Sequence, residues 1–189
     1  DKAGNHPGLT PVTVKNTRRY LIMCLDQAVR SGLMTRHTAK ETKSPKVDKQ
    51  KIRALTQEQA NALLKVAKER GEIVHMIILL ALSTGMRRGE VFALSWDNVD
   101  LKEGTVTVNQ SVITAGGRII WTRPKTEGSN RKIKLAPDAV AKLKKYKVWQ
   151  TEHRFSMGDK WEQTGLVVAN MYGGGTHPTS FASGHCKTL

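Results

Sequence analysis

Apolar residues recur at helical spacing near the beginning of the chain. Residues 13–31 place apolar side chains along one face, which predicts an amphipathic helix. This face consists of Val14, Leu21, Cys24, Leu25, Ala28 and Val29. Lys15, Arg19 and Arg30 fall on the opposite face, and Gly32 is a typical terminator. Because one helix cannot bury its own apolar stripe, we expect it to belong to a larger helical domain.

Residues 35–54 lack this periodicity and are strongly basic. Seven Lys and Arg residues stand against two acids, and Pro45 interrupts the segment. The composition is typical of an extended connector between domains. Such a connector either lies along a phosphate backbone or is simply solvated, and the composition does not separate these two interpretations.

Helical patterns return after the connector. Thr56 and Gln59 have the spacing of a capping box, ahead of an apolar stripe that predicts a helix. Residues 72–82 are almost entirely apolar and too few to span a bilayer, so they predict a buried helix. Gly85 is expected to end this helix, and a short helix is expected from about Arg87 to Trp96.

The pattern next changes to a period of two. Residues 105–112 alternate as a strand, with Val106, Val108 and Val112 on one side. Residues 118–123 and 131–136 predict two more strands, and together the three strands predict an antiparallel meander. Pro137 opens a further helix, to about His153. The expected fold class is therefore α+β, mainly helical with a small three-stranded antiparallel sheet.

The composition narrows the choice of partners. The 189 residues include 31 Lys and Arg against 16 Asp and Glu, a formal net charge of +15. This excess favours polyanions, and nucleic acid first among them, but does not distinguish a ribosomal protein, a repressor and a DNA enzyme. Two cysteines exclude a disulfide scaffold, and no signal-peptide pattern or membrane span is visible. We therefore expect a cytoplasmic protein.

Two groups of residues have the chemistry to bind and process a phosphate. Arg87 stands at a predicted helix start, where a guanidinium fork matches a phosphate, and Glu90 lies on the same face one turn later. Lys125 stands near the tip of a predicted hairpin, from which a lysine can protonate a leaving oxygen. Taken separately, the two groups are better explained as a surface Arg–Glu pair and a solvated hairpin.

The order of these motifs resembles one family. The chain resembles the tyrosine recombinase (phage-type integrase) family in the order of four features: TGMRRGE, ALSWDNVDL, an alternating strand, and PKT followed by RKIKL. The resemblance extends upstream through LDQAVRSGLM, the basic connector and LTQEQANALL. It implies three parts: the C-terminal part of a helical core-binding domain (residues 1–34), a basic interdomain linker (35–54) and the N-terminal portion of a catalytic domain (55–189).

The resemblance also implies roles for single residues. Arg87 matches the catalytic arginine that clamps the scissile phosphate, Glu90 the acid that supports it, and Lys125 the general acid for the 5′-oxygen. In this family a tyrosine attacks the phosphate and forms a 3′-phosphotyrosyl link, which requires no metal and no cofactor.

The implied partner is double-stranded DNA, on which the family assembles as tetramers; we expect a monomer in the absence of DNA. The residues expected to contact DNA are Lys15, Arg19, Arg30, Lys43, Lys46, Arg88, Arg123 and Arg131.

The sequence also departs from the family. No histidine is followed by arginine at the third position, so the His-x-x-Arg box is missing. Tyr20 and Tyr146 are expected to be structural, and Tyr172 is a poor candidate for the nucleophile. The chain is therefore interpreted as a fragment of a longer integrase, or as the product of a truncated or frameshifted gene. A non-catalytic DNA-binding remnant or regulator is the alternative, and an RNA-binding protein rests on charge alone.

Overall fold

The computed structural model describes residues 8–47, 54–122, 130–178 and Phe181. The chain divides into two compact units, residues 1–54 and residues 55–189. The identification of the first unit with a core-binding domain stays a prediction, and each unit is considered by itself below.

The first unit contains helix α1, Pro11–Arg30. It begins two residues earlier than predicted because Thr10 caps it: the Thr10 hydroxyl accepts the Thr13 N–H at 3.2 Å. Gly32 terminates it as predicted, with φ of 73°. The Leu33 N–H bonds to the Ala28 carbonyl at 3.0 Å, which is the pattern of a Schellman motif. None of the residues of α1 is buried within this unit.

The beginning of the predicted linker folds back on α1. His37 Nε2 and Lys40 Nζ lie 2.7 Å and 2.6 Å from the same Asp26 oxygen. Arg18 donates to the Lys40 carbonyl at 3.1 Å and to the Thr42 hydroxyl at 2.9 Å. The hydrogen bonds of Lys40 and then His37 lower the Asp26 pKa. Apolar periodicity could not reveal this turn, because polar side chains hold it.

The described residues of the second unit include four longer helices. They are α2 (Gln57–Glu69), α3 (Glu72–Thr84), α4 (Arg88–Ala93) and α5 (Pro137–Met157). The capping box is confirmed: Gln59 N–H donates to the Thr56 hydroxyl at 3.2 Å, and Thr56 N–H donates to Gln59 Oε1 at 3.0 Å. Helix α4 is shorter than predicted, and α5 is longer. Within the described ranges, no helix is both long and apolar enough to cross a membrane.

The strands form two separate antiparallel groups. They are β1 (Val99–Asp100), β2 (Thr105–Val108), β3 (Ser111–Ala115), β4 (Arg118–Thr122) and β5 (Arg131–Lys134). A three-stranded sheet has the order β1-β2-β5, and β3 and β4 form a hairpin of their own. The α+β class with a small three-stranded antiparallel sheet is confirmed. The predicted meander is wrong, because β5 pairs with β2 and not with β4.

The predicted strand 105–112 is in fact divided between the two groups. The chain leaves the first sheet at Asn109, whose side-chain amide donates to Asn98 Oδ1 at 2.9 Å. Strand β3 then packs on α4 so closely that a Cβ on Gly89 would lie 2.5 Å from the Val112 carbonyl oxygen. The alternation of buried valines continues across the break, so the pattern could not show it.

The core of the second unit surrounds α3 and supports the beginning of α4. Its most buried large side chains, each under 2% exposed, are Phe92, Met76, Leu80, Leu143, Val91, Val106, Val167 and Val168. The apolar segment around Val167 joins α4 through a hydrogen bond from its N–H to the Leu94 carbonyl at 2.8 Å. The short helix α4 is therefore held on its apolar side by the core.

The contact at Gly89 predicts a large effect for a small substitution. In Gly89→Ala the new methyl group would collide with the Val112 backbone, and this overpacking outweighs the gain in helix propensity. We expect the free energy of unfolding to fall by about 2 kcal/mol. Urea denaturation measures it, with Gly8→Ala as the control because a Cβ there meets nothing within 4 Å. Equal stability of the two variants would contradict the close packing of α4 on β3.

Candidate active site

Arg87 lies in the turn between α3 and α4. Gly85 ends α3 in the left-handed conformation, with φ of 62°, and its N–H bonds to the Ala81 carbonyl at 3.1 Å. The next residue, Met86, is buried and its N–H donates to the Thr84 hydroxyl at 3.2 Å. Arg87 follows in an extended conformation and its side chain is 79% exposed. A hydrogen-bonded turn therefore presents an exposed guanidinium to solvent.

Glu90 is the buried centre of the site. Its side chain is only 7% exposed, yet both of its carboxylate oxygens accept hydrogen bonds. Arg87 gives its backbone N–H to Oε2 at 2.8 Å and its Nη1 to Oε1 at 3.1 Å. The proximity of Arg87 and Glu90 predicted from their spacing is therefore confirmed.

Arg131, at the beginning of β5, supplies the other two donors. Its Nη1 lies 3.1 Å from Glu90 Oε1 and its Nη2 lies 2.7 Å from Oε2, which is a bidentate pair. No local pattern in the sequence reveals this contact, since the two residues are 41 positions apart. From the sequence alone, Arg131 is expected to contact DNA instead. In the structure, both terminal nitrogens of Arg131 donate hydrogen bonds to the Glu90 carboxylate.

The cluster is electrostatically asymmetric. The hydrogen bonds from Arg131, followed by the backbone N–H of Arg87, lower the Glu90 pKa from 4.5 to about 2, although burial opposes the change. The same contact raises the pKa of Arg131. Two guanidinium groups and one carboxylate leave one positive charge in excess, and the most exposed member of the cluster is Arg87. The site is therefore suited to an anion.

The other predicted residues have different positions. Lys125 and Arg123 lie outside the described residues, so their roles stay predictions. Arg88 is exposed at the first position of α4. In the first unit, Lys15 and Arg19 line a groove of about 340 Å³ together with Arg18 and Ser44. The remaining predicted DNA contacts of that unit are exposed; they are Arg30, Lys43 and Lys46.

The tyrosines differ sharply in accessibility. Tyr146 is 2% exposed and stacks on Trp149, with 5.3 Å between ring centroids. The burial of its side chain confirms the structural role predicted for Tyr146. The same burial raises the pKa of its hydroxyl. Tyr20, by contrast, is 67% exposed on α1, and Tyr172 is 57% exposed in the loop that follows the Val167 segment.

The lowered Glu90 pKa predicts a specific acid sensitivity. The ionised carboxylate stabilises the fold fully above about pH 4.5, the ordinary pKa, and this stabilisation is lost as the pH falls towards 2. The difference amounts to about 3 kcal/mol. We expect Glu90→Gln to lower stability at pH 7 and to flatten this part of the pH profile, measured by urea unfolding between pH 7 and pH 3.

The exposed acid Glu58, in the first turn of α2, provides the matched control. Glu58→Gln should leave both the stability at pH 7 and the acid limb nearly unchanged, because it removes no buried charge. If Glu90→Gln behaves in the same way as Glu58→Gln, Glu90 is not the centre of a stabilising cluster.

Comparison with known proteins assigns the chain to a family. The model of the phage integrase family matches residues 53–161. The integrase of Streptomyces ambofaciens is 35% identical over 130 residues, which cover 64% of this chain and 31% of that protein. The ICEBs1 integrase of Bacillus subtilis (strain 168) is 24% identical over 145 residues, 77% of this chain and 39% of that protein. The chain thus spans between 31% and 39% of the length of these relatives.

Solved structures share the fold at low sequence identity. The Tn1549 transposon integrase in complex with a circular intermediate DNA is 16% identical, with a TM-score of 0.73 over 95% of this chain and 58% of that one. The lambda integrase tetramer bound to a Holliday junction is 18% identical, with a TM-score of 0.58 over 89% of this chain and 44% of that one. Since the family model covers more than half of its residues, the chain belongs to the phage integrase family.

Proposed function

We propose that this chain forms part of a tyrosine-type site-specific DNA recombinase, which cuts and rejoins double-stranded DNA during integration and excision of a mobile element. The observation that carries the proposal is the exposed Arg87 guanidinium, which is hydrogen-bonded to the buried Glu90 at the turn before α4. Membership of the phage integrase family supports it. The cytoplasm is the proposed location, because the two integrases compared above come from bacteria, whose DNA lies there.

Arg87 is proposed to bind the scissile phosphate. A guanidinium offers paired N–H donors that match two phosphate oxygens, and it stays charged at any physiological pH. Because the turn and Glu90 fix its position beforehand, little reorganisation is needed when negative charge develops on the non-bridging oxygens. The excess positive charge of the cluster stabilises that charge further.

The complete reaction needs groups beyond this cluster. A tyrosine oxygen attacks the phosphorus, the bond to the 5′-oxygen breaks, and Lys125 is proposed to protonate that oxygen as it leaves. The phosphotyrosyl link conserves the bond energy, so no metal or cofactor is proposed. Tyr146 is unsuited to the attack because its hydroxyl is buried. We propose that this polypeptide binds DNA without cleaving it.

Nonspecific affinity is proposed to come from the exposed basic residues of the first unit. Lys15 and Arg19 in the α1 groove, with Lys43 and Lys46 beyond it, supply cations for the phosphate backbone. The net charge of +15 supports this role. The lambda integrase forms a tetramer on a Holliday junction; we propose that this protein likewise assembles on DNA and is a monomer without it.

A non-catalytic DNA-binding regulator is the second candidate. It is supported by the same cluster, because an exposed guanidinium can bind a phosphate without any cleavage. A covalent adduct between the complete gene product and a nicked attachment-site DNA would support the recombinase and exclude the non-catalytic regulator.

Replacing Arg87 tests the proposed phosphate contact. We expect Arg87→Ala to weaken binding to duplex DNA about tenfold at low salt, because one charged contact is lost. The slope of log affinity against log salt should become less steep by roughly 0.9. Fluorescence anisotropy measures both quantities, with Arg154→Ala, an exposed arginine of α5, as the control. If the two variants bind alike, Arg87 does not contact a phosphate.

The proposal also predicts an absence of cleavage by this polypeptide. Incubated with nicked duplex DNA and then denatured, the 189-residue chain should yield no covalent adduct on a gel. Tyr146 is inaccessible, and the 189 residues hold no His-x-x-Arg box to activate the exposed Tyr20 or Tyr172. An adduct that disappears in Tyr172→Phe would refute this prediction and identify Tyr172 as a nucleophile.

A further inference from the structure

Arg131 has no part in the chemistry proposed above, although the sequence placed it among the DNA contacts. We propose that Arg131 is a positioning residue, which grips Glu90 so that this carboxylate orients Arg87 and leaves the charge of Arg87 available to DNA. This inference rests on the proposed function, since it concerns the same arginine.

The first argument is geometric. A glutamate side chain has a broad rotation about its last bond, so one hydrogen bond does not fix its plane. The fork of Arg131 takes both oxygens, at 3.1 Å and 2.7 Å, and thereby fixes that plane. The Arg87 Nη1 then meets an oxygen whose position is already determined, at 3.1 Å. In the described part of the chain, Glu90 is the only hydrogen-bonded or ion-pair partner of the Arg87 guanidinium.

The second argument concerns charge. Arg87 and Glu90 alone would form a formally neutral pair, and a phosphate would have to compete with the carboxylate for the guanidinium. With Arg131 bound to the same carboxylate, the cluster retains one positive charge. The side chain of Arg87 is 79% exposed whereas that of Arg131 is 34% exposed, so the phosphate has easier access to Arg87.

The third argument is the connection that Arg131 makes between two parts of the second unit. Arg131 pairs with Val108 in the register of β5 on β2, so it belongs to the three-stranded sheet. Helix α4 is packed against the other group of strands, where Gly89 lies on Val112. The Arg131–Glu90 pair thus ties the beginning of α4 to the first sheet. The direction of Arg87 depends on both attachments.

A direct phosphate contact by Arg131 makes the opposite prediction, and a double-mutant cycle separates the two. Affinity for a duplex DNA at low salt is measured for Arg131→Gln, Arg87→Ala and the double variant. Lys132→Gln is the matched control, because it removes one charge from the next residue of β5, which is exposed on the other face of the strand.

If Arg131 acts through Arg87, Arg131→Gln weakens binding about tenfold in the native background and less than twofold in the Arg87→Ala background. Lys132→Gln has a small, equal effect in both. Equal losses for Arg131→Gln in the two backgrounds would show a direct contact and overturn the inference, as would an Arg131→Gln variant that binds like Lys132→Gln. Arg131→Lys keeps the charge but not the fork, and we expect it to behave like Arg131→Gln.

A measurement without DNA keeps this inference separate from the proposed function. In NMR spectra of the chain, Arg131→Gln should raise the pKa of the Glu90 carboxyl and shift the Arg87 Nε–H signal, while Lys132→Gln leaves both unchanged. Unchanged signals in Arg131→Gln would refute the positioning role whatever the chain binds. If the signals change but Arg87→Ala leaves DNA affinity intact, the proposed function fails and the positioning of Arg87 stands.

Discussion

The structure around the candidate site depends on one buried carboxylate. An ionised Glu90 in the interior would be strongly destabilising without compensation, and four N–H donors from two arginines provide it. One of those donors is the backbone of Arg87, so the carboxylate also fixes the chain at the beginning of α4. The solvation of a single anion therefore determines the path of a turn, the attachment of β5 and the direction of an exposed guanidinium.

The basic residues of this integrase-family chain have two distinct functions that the net charge conceals. Arg131 and Arg18 are used inside the fold, where the first binds Glu90 and the second holds the turn after α1 through the Lys40 carbonyl and the Thr42 hydroxyl. Lys15 and Arg19, in contrast, stay exposed along α1. Only exposed cations contribute fully to the attraction of a polyanion, so the net charge of +15 overstates the positive charge available for binding one.

Predictions from the sequence succeeded where the interaction is local. The capping box of Thr56 and Gln59, the terminator Gly32 and the fold class were all recovered, since each depends on residues within a few positions of one another or on overall periodicity. The prediction of a meander was wrong because strand pairing depends on contacts between segments that are distant in the sequence. The alternation of valines is the same whether β5 lies beside β2 or beside β4, so it does not choose between the two arrangements.

The candidate site shows the same contrast between local contacts, which the sequence predicts, and distant contacts, which it does not. The sequence alone determined that Arg87 and Glu90 meet, because residues three apart at a helix start lie on one face. It determined the chemical types as well, a guanidinium and the carboxylate that supports it. Only the tertiary structure decided that Arg131 completes the cluster, because β5 comes to α4 through a sheet whose order no local pattern specifies. Burial of Glu90 then made that distant arginine necessary, since a carboxylate removed from water requires more donors than Arg87 alone supplies.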